Sequence, residues 1–175
     1  MTITSASPAF PSAIAFLESP PERRWQTLKQ LGLARYDFLI KMPKTKTNIA
    51  CVKRFLEGRK RVKFPDLSRA DLSGLILDRT NLIRGNLSGA NLTKTRLIEA
   101  DLLFANFTRA NLTDANLSGA TLNETIWTEA IVFGCHFGAG IGLSETQRQD
   151  LVNRGAIFGG SEGNDLDKNK SLSFF

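Results

Sequence analysis

The chain has 175 residues, enough for one domain with a real core, or for one domain with a small appendage. No apolar run approaches the roughly 20 residues that a membrane-spanning helix needs. The formal charge of +6 is uneven: residues 1–64 carry 13 basic and 4 acidic side chains, residues 65–140 carry 6 and 8, and residues 141–175 carry 4 and 5, so any affinity for anionic partners belongs to the first third.

The opening stretch, MTITSASPAFPSAIAFLESPPERR, holds a short apolar patch with no basic residue before it. A signal peptide needs a positive leading region, so the sequence reads as mature and the expected location is cytoplasmic, or peripheral to a membrane or a large complex. Cys51 and Cys135 lie in different regions and are expected to be reduced.

Three short helices are expected in the first third. Ser19-Pro20-Pro21-Glu22 is a helix start, with Trp25, Leu28 and Leu31 on one face and Gly32 as the stop. A second helix holds Tyr36, Phe38, Leu39 and Ile40 and ends before Pro43. A third follows Thr47, with Ile49, Val52, Phe55 and Leu56 inward. Residues 1–63 therefore form a basic helical module. Its cations cluster at Lys41, Lys44, Lys46, Lys53, Arg54, Arg59, Lys60, Arg61 and Lys63, a candidate contact for RNA, DNA or an anionic membrane leaflet. Binding of that kind is steeply salt-dependent.

From Leu67 the pattern changes. A large apolar residue recurs every five positions, from Leu67 through Leu72, Leu77 and onward to Trp127, Val132 and Phe137, fifteen units without a break in phase. Call that residue i. Position i−2 is usually small (Ala70, Gly85, Ala90, Ala100), i−1 is mostly Asp or Asn, i+1 is often Ser or Thr, and i+2 is mixed and frequently charged or Gly. A period of five fits neither a helix nor a strand. Two inward positions separated by two describe a short extended piece followed by a corner, and Asn, Asp, Ser, Thr and Gly suit corners. Four corners close a square of 20 residues, and squares stack by backbone hydrogen bonds about 4.8 Å apart.

Tandem A(D/N)LXX units over 65–139 resemble the pentapeptide-repeat proteins, and the cap that follows them is similar to one found in repeat proteins of oxygenic photosynthetic bacteria. The resemblance implies a right-handed quadrilateral β-helix. Combined with the residue reading, the expected fold is an all-β solenoid of about four coils over 64–140, with the helical module before it. A short capping helix follows within 141–158, begun by Ser144 and Gln147 as a capping box and ended at Gly155, with Ala156 to Phe158 returning as a strand. Residues 159–175 are expected to be a flexible tail. The units at Leu75-Ile76 and at Thr125-Ile126, Ile131 and His136 depart from the pattern, as terminal repeats do.

No catalytic constellation is present. The one histidine, His136, lies beside Cys135, and a metal pair there needs two more ligands. No enzyme activity, cofactor, metal or small-molecule substrate is expected, so function falls to surfaces. Residues twenty apart share a column. On the face of Leu82, Leu102 and Leu122 the outward columns run Ile83, Leu103, Asn123 and Arg84, Phe104, Glu124. Ile83, Arg84, Leu103 and Phe104, extended by Ile98, are the expected protein-partner site. The chain therefore reads as a non-enzymatic interaction scaffold or regulatory or assembly factor, with an adaptor for nucleic acid or an anionic membrane through 41–63 as the alternative. The resemblance adds a third reading, since some members mimic DNA and bind type II topoisomerases.

Overall fold

The structure, a computed structural model, describes residues 11–58 and 63–159. Its elements in order are α1 (Ala13–Glu18), α2 (Pro21–Gln30), a 3₁₀ segment (Ala34–Lys41), α3 (Lys46–Gly58), β1 (His136–Gly138), α4 (Glu145–Asn153) and β2 (Ile157–Phe158). Between α3 and β1 the chain runs through isolated parallel bridges in place of continuous strands. Each joins residues twenty apart, from Asp66↔Asn86 to Asn116↔His136.

The repeat builds this rod by three local rules. Each i side chain points inward, and Leu67, Leu72, Leu77, Leu82 and their successors are fully buried. Full burial of a leucine stabilises by about 1.5–3 kcal/mol. Position i−2 is mostly small and faces inward, with Ala70, Ala90, Ala100 and Ala105 all buried. The i−1 Asn side chain accepts from the backbone N–H two residues on, as in Asn106 to Thr108 and Asn116 to Ser118, both at 2.9 Å. That bond holds the bend that follows i.

The i+2 residue turns the corner in the left-handed region. Arg69, Arg84, Lys94, Phe104 and Arg109 all have φ between 54° and 59°, and the glycines at the equivalent positions 74, 89, 119 and 134 have φ between 64° and 73°. Charged residues and Gly alternate there because the side chain faces solvent and the backbone conformation is the same for both. The corner is closed by the N–H of the next i−2 residue on the i carbonyl, as in Ala105 to Leu102 at 2.8 Å.

The rod's first edge would expose unpaired backbone groups. The helical segment covers it with side chains. Arg54 donates to the carbonyls of Asp66 and Ser68, and fully buried Asn48 donates to the Asp71 carbonyl and accepts from the Asp71 N–H, both at 2.8 Å. Lys41 donates to the Ile76 carbonyl at 2.7 Å. Helix and rod residues then share one buried apolar cluster. Within the helical segment, Arg24 ties α1 and the 3₁₀ segment together by donating to the carbonyls of Leu17, Ser19, Ile40 and Met42.

The sequence reading expected no helix before Ser19, yet α1 occupies Ala13–Glu18, capped by Ser12 and burying Phe16 and Leu17. The apolar patch is a packed helix too short to show a period. At the other end α4 carries the Ser144–Gln147 capping box, and β2 pairs in parallel with β1. Gln147 also donates to the Thr125 carbonyl, and Arg154 to those of Trp127 and Ala130. The core near this end is aromatic: Phe107 stacks on Trp127 at 4.5 Å and Phe137 on Phe158 at 5.0 Å. No helix among the described residues is long and apolar enough to cross a membrane.

Candidate interaction site

The rod's fourth face, that of Leu82, Leu102 and Leu122, meets the helical segment at a corner. Its i+2 column begins one step before Arg84, at Phe64, so the column runs Phe64, Arg84, Phe104, Glu124. The Arg84 guanidinium lies 5.3 Å from the Phe64 ring centroid and 5.0 Å from that of Phe104. Both distances follow from the stacking repeat of the coils. Cation–π contact of this kind contributes about 0.5–1 kcal/mol at an exposed site. Both rings are exposed, Phe64 at 45% and Phe104 at 43%. Among the described residues the exposed Arg84 side chain has no hydrogen bond or ion pair, and the two rings brace it.

Beside this clamp lies a cleft of about 230 Å³ lined by Arg35, Tyr36, Lys63, Phe64, Pro65, Asn81 and Ile83. Among the described residues no carboxylate lines it. Arg35 stacks on Tyr36 at 4.8 Å, and Tyr36 is held in turn by Phe55 and Phe38 in edge contacts at 5.0 and 5.9 Å. The 3₁₀ segment thus fixes one wall of the cleft and the rod the other.

Of the five residues expected on the rod face, Ile83, Arg84, Leu103 and Phe104 come together here. Arg84 and Phe104 are exposed, whereas Ile83 and Leu103 are half-buried in place of forming an open apolar patch, because i+1 side chains stack along their column. Ile98 is also half-buried and sits on the neighbouring face, where its N–H donates to Asp78. It is not part of the cleft.

The basic residues divide differently. Lys44 pairs with Glu18, Lys53 with Glu57 and Arg54 with Asp66, while Lys41 holds the Ile76 carbonyl. Lys46 is exposed on α3, and Lys63 lines the cleft. Arg59, Lys60 and Arg61 lie outside the described residues. The sequence reading did not select Arg35, Tyr36, Phe64, Pro65 or Asn81 for this site. Phe64 was within reach of it, since stepping back twenty from Arg84's neighbour Phe104 and twenty again lands there.

Elsewhere on the rod some charged residues pair with one another. Arg79 meets Glu99 and Arg109 meets Glu129 along their columns, each at 2.7 Å. Arg96 beside Asp78 holds that carboxyl below its usual range. A second, more open hollow of about 450 Å³ between Trp127, Glu129, Gln147, Asp150 and Arg154 is lined by the groups that cap the last coil. Burial pushes the Cys51 thiol up to about 12 and raises that of Cys135, so neither is a ready nucleophile. Among the described residues no group of three or more His, Cys, Asp or Glu is placed to hold a metal.

Comparison with known proteins agrees with the geometry. Residues 66–102 and 86–124 match the model for pentapeptide repeats, with eight copies. No curated protein matches the chain. Among solved structures, the chain is 40% identical to a pentapeptide-repeat protein, Rfr23, from the cyanobacterium Cyanothece 51142, over 40% of this chain and 48% of that one, with a TM-score of 0.40. It thus spans about half the length of that relative. It is 28% identical to AT2G44920, a pentapeptide-repeat protein from the Arabidopsis thaliana thylakoid lumen, over 57% of this chain and 82% of that one, with a TM-score of 0.42. It is 36% identical to HetL, a pentapeptide-repeat protein involved in heterocyst differentiation regulation in the cyanobacterium Nostoc, over 40% of this chain and 35% of that one, with a TM-score of 0.26. Residues 66–124, which match the pentapeptide-repeat model, carry the unbroken five-residue phase and the twenty-residue bridges.

Proposed function

We propose that the chain is a non-enzymatic interaction scaffold, a regulatory or assembly factor that binds a partner protein at the corner between its helical segment and its rod. On this reading the rod is a right-handed β-helix of about four coils. The helical segment and the rod act as one body, because the segment's side chains bond backbone groups at Asp66, Ser68, Asp71 and Ile76 on the rod's first edge. The observation that carries the reading is Arg84, exposed and braced by Phe64 and Phe104. An exposed arginine fixed by aromatic rings has already lost the side-chain freedom that binding would otherwise remove, and aromatic residues and arginine dominate binding energy at protein interfaces.

Capture from a lysate of the source organism tests it, comparing the parent chain with Arg84→Gln and Phe104→Ser. A protein retained by the parent, resistant to nuclease and lost with either substitution is expected. The same proteins held by all three chains would remove this corner as the site. Loss on nuclease treatment would move function to a nucleic-acid contact.

A further inference from the structure

The last coil breaks the polar pattern of the second face. In the three coils before it, that face carries Asp71, Asn91 and Asn111 ahead of the inward leucine, and Ser73, Thr93 and Thr113 after it. The Asn91 side-chain oxygen accepts from the Thr93 N–H at 3.2 Å and from its hydroxyl at 2.7 Å, and Asn111 does the same with Thr113 at 3.0 and 2.7 Å. In the last coil these two places are Ile131 and Phe133, which can make neither bond, and they are 52% and 67% exposed. Two residues apart in an extended piece, they lie on one side of it. The Phe133 ring rests against Gly155, where an added Cβ would fall 2.8 Å from the ring's Cδ2. The Gly134 N–H donates to the Gly155 carbonyl at 2.9 Å, and Ile157, also exposed, pairs over His136. Ile131, Phe133 and Ile157 thus border one corner of the last coil, where local bonding favours polar side chains. Single exposed apolar residues are ordinary, whereas a group of them marks a contact.

The size of this group limits its occupant. A stable protein interface buries about 800 Å² on each partner, far more than these three side chains offer, so they suit a short anchor of a few apolar residues. The chain itself carries one. After Gly159 the sequence runs GSEGNDLDKNKS and then Leu172-Ser173-Phe174-Phe175, all outside the described residues. We propose that Leu172 and Phe174 of the same chain cover Ile131 and Phe133. Leu172 and Phe174 are two apart, so an extended segment offers both on one side, at the spacing of Ile131 and Phe133. The reach is sufficient. The Gly159 N–H donates to the Gly138 carbonyl at 2.9 Å, and Gly138 is seven residues along the coil from Ile131, a path of at most about 25 Å. The twelve residues 160–171 can span about 40 Å. A tether of that length gives the anchor an effective concentration of order millimolar, so a weak contact is enough to hold it. Of those twelve residues only Leu166 is apolar, so burial favours the four that follow. This contact lies at the opposite end of the rod from Arg84 and does not depend on that site. It makes the apolar corner of the last coil available to a partner only when the anchor is released.

The test places a nitroxide on the anchor. In the full chain Ser173→Cys takes the label, while the buried Cys51 and Cys135 do not. Amide spectra of the isotope-labelled chain are then compared with the nitroxide oxidised and reduced. Signals of 131–134 and 157 should broaden beyond detection, and those around Arg84 should be untouched. Phe133→Ser should restore the signals, and so should Leu172→Ser combined with Phe174→Ser, with denaturation midpoints reporting that the fold is kept. If Phe133→Ser lowers the midpoint, the tail substitutions alone decide. Broadening that is absent, spread evenly over the rod, or indifferent to the substitutions overturns the proposal. A mixture of nitroxide-bearing chain without isotope and isotope-labelled chain without nitroxide separates one chain from two. No broadening is expected there; broadening as strong as in the singly labelled sample assigns the contact to a second copy and overturns the proposal. A dye that fluoresces on apolar surface gives an independent reading. Its signal should rise with Leu172→Ser and Phe174→Ser and fall again when Phe133→Ser is added, and a signal unchanged by the tail substitutions counts against the contact.

Discussion

Replacing Asn48 with leucine tests whether the helical segment is structurally part of the rod. Asn48 is fully buried on α3 and makes three bonds: its amide donates to the carbonyls of Pro43 at 3.0 Å and Asp71 at 2.8 Å, and its oxygen accepts from the Asp71 N–H at 2.8 Å. Leucine has nearly the same shape, so the packing of α3 against the first coil is kept and the polar contacts alone are removed. Each bond contributes about 1 kcal/mol net, and groups left unsatisfied where water cannot enter cost about 1–3 kcal/mol more. Some relief comes from the partial exposure of Asp71, so the expected loss is about 3 kcal/mol. For a chain of this size that is roughly 6–12 °C in Tm. The assay is urea denaturation followed by both tryptophan fluorescence, which reports Trp25 and Trp127, and circular dichroism. The two probes should move together, since helix and rod residues share one cluster. A change below about 0.5 kcal/mol, within the usual range for surface substitutions, would refute the claim that this side chain seals the rod's first edge. Separate transitions would refute the shared core.

Two further outcomes are expected. Gly74 and Gly142 both sit at positive φ, but a Cβ at 74 meets open space, while one at 142 lies 2.7 Å from the Asn123 backbone nitrogen. Gly74→Ala should therefore cost only the left-handed conformation, about 1–2 kcal/mol, and Gly142→Ala clearly more, as read from denaturation midpoints; equal losses would contradict the close approach. Both cysteines should be inert to a disulfide-exchange reagent at pH 8 in the folded chain and reactive in denaturant. Burial raises the folded thiol of Cys51 from an ordinary value of 9.0 to about 12, so its contribution to stability is complete below about pH 9 and is lost as pH rises towards 12. Stability should accordingly fall more steeply above pH 9 in the parent than in Cys51→Ala, and equal slopes would argue against a buried neutral thiol.

What was legible from the sequence depended on how local the physics is. The five-residue phase was readable because every unit repeats the same short-range rules: an inward leucine, a small residue after the corner, an Asn or Asp that bonds two residues on. The capping box at Ser144 was readable for the same reason. Columns were readable too, because a twenty-residue coil puts residues of equal phase above one another, and this brought Arg84 and Phe104 together from the sequence alone. Helix α1 was not, since six residues carry too little period to identify.

The sequence by itself thus determined the rod and its inward and outward positions. Only the tertiary structure decided which side chains cover the end groups of the rod. Asn48, Arg54 and Lys41 reach backbone carbonyls 12 to 35 residues away, and nothing in their local sequence distinguishes them from solvated side chains. Likewise Arg35 and Tyr36 meet Phe64 and Ile83 around one cleft only because the 3₁₀ segment folds back against the fourth face. A repeat fixes its own interior by contacts of constant spacing. Its ends have no repeat to follow, and their covering is a matter of long-range packing.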